Sequence, residues 1–294
     1  HIKMKTFVFI TICILFLSCN QSEDGADAYG NFEAREIIVS SQGNGQVLHF
    51  NVSLGKELSP RIQVGLIDTS QLYFSKQQLL AKKTSLKTKL KSIESQLAVL
   101  QAEKQIVETE KNRIKKLFDD GAATKAQLDN VEGRMDVLKA RIESVKVEKQ
   151  TIYAENEAVE AQINQVEDNI GKCKIMNPVK GTVLEKYVEA GEVATMGKPL
   201  YKIADLDVME LKAYISGAQL SDVMIGQKVM VSIDKNKEEN IEMEGEIAWI
   251  SGQAEFTPKI IQTKEMRVDL VYAFKVNVKN NGRMKIGMPG EVKF

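Results

Sequence analysis

No proline occurs between Pro60 and Pro178, and across that window apolar residues return with a helical period. Leu72, Leu79, Leu86, Ile93, Leu100, Val107 and Ile114 stand seven residues apart, with Leu90, Leu97 and Phe118 at companion positions. Lys76, Lys83, Lys104 and Lys111 fill the remaining companion positions, so this second seam is imperfect. A second arm is cleaner. From Leu128, Val131 and Met135 through Leu138, Ile142, Val145, Ile152, Val159, Ile163 and Val166 to Ile170 the apolar residues alternate steps of three and four, broken only at Lys149 and Asn156. Such stripes specify a coiled coil, because they keep one narrow seam facing a partner helix. Asp119-Asp120-Gly121-Ala122-Ala123 separates the arms and is short enough to force them antiparallel. A dimeric coiled coil would also explain the stripe, but two equal arms about one short turn favour a hairpin within the chain, over residues 71–171. With about 48 residues per arm at ~1.5 Å each, it reaches about 70 Å. Gly171 is expected as its carboxy-terminal cap.

Charge agrees with this folding-back. Lys76, Lys82, Lys83, Lys87, Lys89 and Lys91 form a block without acids. Folded about Gly121, it lies opposite Glu155, Glu157, Glu160, Glu167 and Asp168, a stretch without bases. Complementarity of this kind sets partner and orientation more than stability.

The hairpin interrupts an internal repeat. At an offset of 136, Gly45, Val47, Leu48, Val52, Gly55, Val64 and Ile67 match Gly181, Val183, Leu184, Val188, Gly191, Leu200 and Ile203. Arg61 stands where the second copy has Gly197. Each copy reads as short strands with glycine turns, half of a small β-sandwich that cannot bury a face alone. The halves, residues 31–70 (with a leading strand) and 172–205, must therefore meet at the base of the hairpin. From 206 to 294 the pattern has period two: Val208 to Tyr214, Val229 to Ile233, Glu244 to Ile250 and Phe256 to Val278, with a charged turn at Lys235 to Asn240. This predicts a small β-barrel. The fold class is α+β and multidomain.

Two GxVxxxxVxxG halves split by a coiled-coil hairpin resemble the periplasmic adaptors, also called membrane fusion or HlyD-like proteins, of tripartite export systems. The resemblance covers nearly all of residues 31–294. It implies that the halves are a split lipoyl-like domain in which the hairpin replaces the modifiable lysine, so no lipoate, biotin or other cofactor is expected. It also marks the hairpin tip. Adaptors that dock on a TolC-like outer-membrane channel carry Arg, Leu four residues on and Ser seven beyond; RIKKLFDDGAATKAQLD supplies Arg113, Leu117 and Thr124. Thr keeps the hydroxyl. Arg113 also reads as a solvated charge, Leu117 as seam packing and Thr124 as a helix N-cap, and a capping Thr can still face a partner. The segments TPKxxQTKExRVxLVYA and GMPGEV resemble the barrel of adaptors paired with ABC-type exporters. The chain stops at Phe294, where adaptors of proton-driven (RND-type) pumps continue into a further domain, which is a second expectation of an ABC-type partner.

The amino terminus reads as an export address. Residues 1–3 look like an extension upstream of a start at Met4. Phe7 to Leu17 (FVFITICILFL) is a run of signal-peptide length, too short to span a bilayer. Ser18-Cys19 follows and resembles a bacterial lipobox, with Phe16 where Leu is usual; an ordinary secretory signal with a chance Cys is the alternative. Residues 1–18 are thus expected to be removed, Cys19 to be acylated, and residues 19–30 to form a flexible tether. Cleavage would remove Lys3 and Lys5 and no acid, turning a net charge of zero into −2. Cys173 would then have no thiol to pair with despite an oxidising compartment.

The remaining counts restrict chemistry. With two histidines, three cysteines and balanced charge, a His-based triad, a metal site or a nucleic-acid surface is hard to build. Gly191 to Lys198 only superficially suggests a phosphate loop, since its spacing is one residue too long and Pro199 stands where Ser or Thr must hold magnesium. Gly43-Asn44-Gly45 is too short a glycine signal for a dinucleotide. His49 reads as a structural His, Cys173 as a packed hydrophobe, Asp119-Asp120 as a solvated tip and Trp249 as barrel core. No catalytic, metal-binding or cofactor-binding residue is expected. The reading is a lipid-anchored periplasmic adaptor, acting as a hexamer, that links an inner-membrane exporter to a TolC-like channel and binds no nucleic acid. The alternatives are an RND-type adaptor, a membrane-anchored coiled-coil scaffold without transport, and a true lipoyl carrier, which would need a Lys at a short hairpin tip.

Overall fold

The computed structural model describes residues 26–234, 239–256 and 270–294. They form two compact units, one of Ile38–Lys202 and one of the residues up to Ile37 with Ile203–Phe294. In chain order the elements are β1 (Ala28–Glu33), β2 (Glu36–Ser40), β3 (Gly45–Phe50), β4 (Glu57–Leu58), β5 (Gln63–Ile67), α1 (Ser70–Asp119), α2 (Lys125–Lys172), β6 (Lys174–Met176), β7 (Gly181–Lys186), β8 (Val193–Ala194), β9 (Pro199–Ala204), β10 (Val208–Ser216), β11 (Lys228–Asp234), β12 (Asn240–Ile250), β13 (Glu255–Phe256), β14 (Leu270–Lys279) and β15 (Pro289–Lys293).

α1 and α2 pair as the heptads dictate. Leu86, Ile93, Leu97 and Val107 of α1 are buried against Leu128, Val131, Met135, Leu138, Ile142, Val145, Ile152, Val159 and Ile163 of α2. The lysines inside the α1 seam reach sideways to acids on α2. Lys76 meets Glu167 at 2.8 Å and, one heptad on, Lys83 meets Glu160 at 3.0 Å. Lys111 meets Glu132 at 3.0 Å four heptads beyond that, and Lys149 of α2 meets Glu94 at 3.0 Å. The steps are equal and opposite on the two arms, so one register holds along the whole pair. Exposed pairs of this kind contribute up to about 1 kcal/mol each, and their main effect is to penalise a slipped register. At the start of α1, Asp68 Oδ1 accepts from the Ser70 amide at 2.9 Å and hydroxyl at 2.6 Å, which holds its carboxyl below the usual range. At the far end, α2 runs past Gly171 to Lys172 and is capped by Cys173. The expected glycine cap is therefore not used. Cys173 keeps right-handed helical backbone (φ −74°), and the chain enters β6 without a left-handed residue.

The 136-residue repeat survives strand by strand: β3, β4 and β5 correspond to β7, β8 and β9. The copies interlock in two four-stranded sheets, β2-β9-β7-β4 and β6-β5-β3-β8, each holding two strands of either copy. The loop hydrogen bonds repeat with the same offset. The Val47 amide donates to Glu192 O and the Val183 amide to Lys56 O; the Arg61 amide donates to Asn177 O and the Gly197 amide to Ser41 O. Arg61 (φ +62°) and Gly197 (φ +84°) share left-handed backbone, so the Arg at this position carries strain its glycine counterpart avoids. Ser41 and Asn177, also counterparts, are the buried polar residues among those described. Asn177 Nδ2 donates to Ser59 O at 2.8 Å and Val179 O at 2.6 Å, and its Oδ1 accepts from the buried Tyr201 hydroxyl at 2.9 Å. Tyr201→Phe leaves that oxygen unpaired and is expected to lower unfolding free energy by about 1–3 kcal/mol, measured by urea titration.

The second unit is a closed barrel. The sheet order β10-β1-β15-β11-β12-β14-β13 is joined on itself by β10–β14 pairing, with antiparallel neighbours throughout. Phe32, Leu211, Ile215, Val231, Ile247, Phe274, Val276 and Val292 fill its interior. Gly290, in the GMPGEV segment, sits where a Cβ would come 2.8 Å from the Phe32 ring, so only glycine lets β1 and β15 close here. Two expectations are corrected. The stretch Ala28–Glu33, which falls partly in the expected tether (19–30) and partly in the expected first half of the split domain (31–70), is β1, and it pairs with β10 and β15 of the barrel. Trp249 is 42% exposed rather than core, because an irregularity between Ile247 and Trp249 breaks the in-out alternation of β12. Residues 235–238 of the charged turn and residues 257–269 of the TPKxxQTKExRV segment lie outside the described residues, as do the expected signal peptide and Cys19.

Candidate docking tip and flanks of the hairpin

The tip is a tight, fully hydrogen-bonded turn. The Asp120 amide donates to Lys116 O and the Gly121 amide to Phe118 O, both at 3.0 Å. Gly121 takes left-handed backbone (φ +75°), and the Ala122 and Ala123 amides both reach Leu117 O, at 2.7 and 3.1 Å. Thr124 then starts α2 with a reciprocal capping box. Its Oγ1 accepts from the Gln127 amide at 3.3 Å, while its own amide donates to Gln127 Oε1 at 2.8 Å. The capping reading of Thr124 thus holds, and its exposed position leaves the hydroxyl open to solvent as well. Leu117 is 40% exposed, so it is not the seam packing considered for it. Ile114 and Phe118 close the seam instead. Arg113, one turn before Leu117, is exposed and makes no ion pair among the described residues. It ends an open groove of about 650 Å³ lined by Ala102, Gln105, Ile106, Thr109 and Glu110. The tip therefore offers an exposed guanidinium and an apolar side chain on a rigid turn, beside an exposed hydroxyl that donates to Gln127 Oε1 at 3.1 Å within the cap.

A second feature was missed in the sequence reading. On the faces of the helices turned away from the seam, α1 carries Ala81, Ser85, Thr88, Ser92, Ser95, Val99, Ala102, Ile106 and Thr109, all exposed. α2 carries Asn130, Gly133, Val137, Ala140, Ser144, Val147, Thr151, Ala154, Ala158, Ala161 and Gln165, likewise exposed. At the chain's 27% charged content about five of these twenty positions would be charged, and none is. The outer face of a solvated coiled coil is ordinarily its most charged part. A Cβ at Gly133 would touch nothing, so the hairpin itself has no use for a glycine there. The signal was present as two further heptad stripes defined by missing charge.

The other candidates carry no site. Cys173 is buried, and burial, with the Asp68 charge, pushes its thiol up. His49 is exposed on β3, at an irregularity in its pairing with β5, and is not an enclosed structural His. Among the described residues no helix is long and apolar enough to cross a membrane.

A long antiparallel hairpin set in interlocked sheets, together with a closed barrel as a second unit, is the fold of the periplasmic adaptors, or membrane fusion proteins. The structure matches MacA from Actinobacillus actinomycetemcomitans with a TM-score of 0.57 at 22% identity, over 90% of this chain and 76% of that one. A MacA–MexA chimera containing the Pseudomonas aeruginosa MexA α-hairpin domain gives a TM-score of 0.50 at 21% identity, over 90% of this chain and 78% of the chimera. A UPF0194 membrane protein of Yersinia enterocolitica is 30% identical over 127 residues, 43% of this chain. The chain spans 38% of the length of the curated relatives it matches. No family model matches it.

Proposed function

We propose that the chain is a non-enzymatic, lipid-anchored periplasmic adaptor that links an inner-membrane exporter to a TolC-like outer-membrane channel for efflux or secretion. The observation that carries this reading is the tip, where Arg113, Leu117 and Thr124 stand exposed on a rigid turn at the end of an unbroken hairpin. Arg113 and the Thr124 hydroxyl hydrogen-bond the channel's tip while Leu117 fills an apolar notch. The interlocked sheets act as a lipoyl-like split domain that holds the base of the hairpin. The uncharged outer stripes let one copy's α1 flank lie against the next copy's α2 flank, a head-to-tail contact that closes as a hexameric ring. The barrel's resemblance to ABC-associated adaptors favours an ATP-driven exporter, which supplies the energy, and coupling passes mechanically through the hairpin. Purifying the tagged chain from membranes in mild detergent tests the class. An exporter and an outer-membrane channel are expected to co-purify; dimers of the chain alone would mean a scaffold, and a proton-driven pump would reassign the exporter.

Anchoring has its own test. Cys19→Ala is expected to move the protein from the membrane to the soluble periplasmic fraction and to abolish incorporation of radiolabelled palmitate. Unchanged labelling would refute acylation at this position. Two or more acyl chains give stable attachment, whereas one is marginal, so loss of the site is expected to release nearly all of the protein.

A further inference from the structure

The barrel strands alternate in direction, so their termini define two ends. At one end β1, β11 and β14 begin and β10, β12 and β15 finish. Asp27 is fastened there: its amide donates to Val292 O and its carboxylate accepts from the Phe294 amide, both at 2.9 Å, and its carbonyl accepts from Gln219 Nε2 at 3.1 Å. The exposed large apolar side chains of the barrel collect at this end. Tyr29, Met230, Trp249 and Leu270 lie near the strand termini, and Met224 and Ile225, each 68% exposed, occupy the turn before β11. That turn is built to hold them out. The Met224 amide donates to Gln227 Oε1 at 2.9 Å, the Gln227 amide to Met224 O at 3.1 Å and the Gly226 amide to Ile247 O at 2.8 Å. At the opposite end the exposed large apolar residues, among those described, are Val208 and Ile286. Adjacent large apolar side chains held in water on a rigid turn, with exposed aromatics at the same end of the barrel, mark a contact surface rather than chance exposure.

We propose that this end of the barrel is a lipid-facing collar, in which Met224 and Ile225 enter the interfacial layer of the bilayer while Tyr29 and Trp249 lie at headgroup level. The inference rests on the reading of Cys19 as the lipid attachment. Eight residues separate Cys19 from Ala28, and an extended chain advances at most about 3.5 Å per residue, so β1 begins within about 30 Å of the anchored sulfur. The apolar end is therefore the end the anchor tethers. A contact of two aliphatic side chains is weak from free solution, but the tether makes it intramolecular and so raises its effective concentration. Lipid suits the surface because a bilayer interface accepts Met, Ile, Trp and Tyr without a shaped pocket. The consequence is orientational: anchor and collar together hold the barrel end-on to the membrane.

Trp249 is the chain's single tryptophan and stands in the collar, so its fluorescence reports the contact directly. The probe is the full acylated chain in phosphatidylethanolamine–phosphatidylglycerol vesicles, with or without bromine near the headgroup end of the acyl chains. Trp249 emission is expected to shift to the blue on reconstitution and to fall about twofold in brominated vesicles, as for an interfacial tryptophan. Met224→Asp with Ile225→Asp is expected to abolish the quenching while the protein still floats with the vesicles and keeps its thermal midpoint. If the acylated chain floats and Trp249 is not quenched, the collar is refuted and anchoring stands. If it does not float, the anchoring reading fails and the collar with it. Protection of Trp249 that appears only when a purified exporter is added would assign this end to protein rather than lipid and overturn the proposal.

Discussion

Arg113→Asp is expected to abolish export while leaving the protein folded and membrane-bound. The side chain is exposed and unpaired in the hairpin, so the fold loses nothing there, and surface changes of this kind stay within about 0.5 kcal/mol. At a docked interface the same change removes a charge-assisted hydrogen bond and sets an acid against the acceptor. That costs about 2–5 kcal/mol, or roughly thirtyfold to several thousandfold in affinity. Each copy in a ring suffers the same loss, so transport is expected to fall to background in a complementation assay. Thr124 separates the hydroxyl's two roles. Thr124→Ser keeps both cap and docking hydroxyl. Thr124→Asp also keeps a good N-cap but brings a charge to the tip, and is expected to be stable and inactive. Wild-type export by Arg113→Asp would remove the docking role.

Ile106→Glu with Val147→Glu is expected to dissolve the assembly. Both residues point away from the seam on opposite flanks of the hairpin, and each is more than half exposed. As monomers the variants are expected to match the wild type in helical content and thermal midpoint. In a side-by-side contact each glutamate must be desolvated against an apolar neighbour. That costs about 2 kcal/mol or more per interface, roughly thirtyfold at each one. Native mass spectrometry of detergent-purified protein is expected to show a hexamer for the wild type and monomers for the double variant. A hexamer that persists would place the self-contact elsewhere.

Much of the fold could be read before any coordinates. The heptads gave both arms of the hairpin, and the opposed Lys and Glu blocks gave the antiparallel orientation in which Lys76–Glu167 and Lys83–Glu160 pair. The 136-residue offset predicted equivalent strands, down to the turn where Arg61 replaces Gly197. What escaped depended on long-range pairing. β1 has a strand pattern, but nothing local says that its edges belong to β10 and β15 rather than to the split domain. Trp249 has the right parity for the core, and a one-residue irregularity turns it outward. At the tip, the capping role of Thr124 was legible from its place at the start of the second arm, whereas the exposure of Leu117 was not, because Ile114 and Phe118 satisfy the seam without it. The outer stripes were legible in principle, but charge that is missing draws less notice than apolar residues that are present.

A photo-crosslinking amino acid at position 117, in living cells that produce the full export system, measures the central claim directly. An exposed apolar side chain at the end of the hairpin is expected to link to an outer-membrane channel, and Arg113→Asp in the same chain is expected to suppress the product. A probe at Gln78, near the hairpin base, is expected to give no channel adduct. Adducts at position 117 only to the chain itself or to inner-membrane proteins, with none to a channel, would contradict the account.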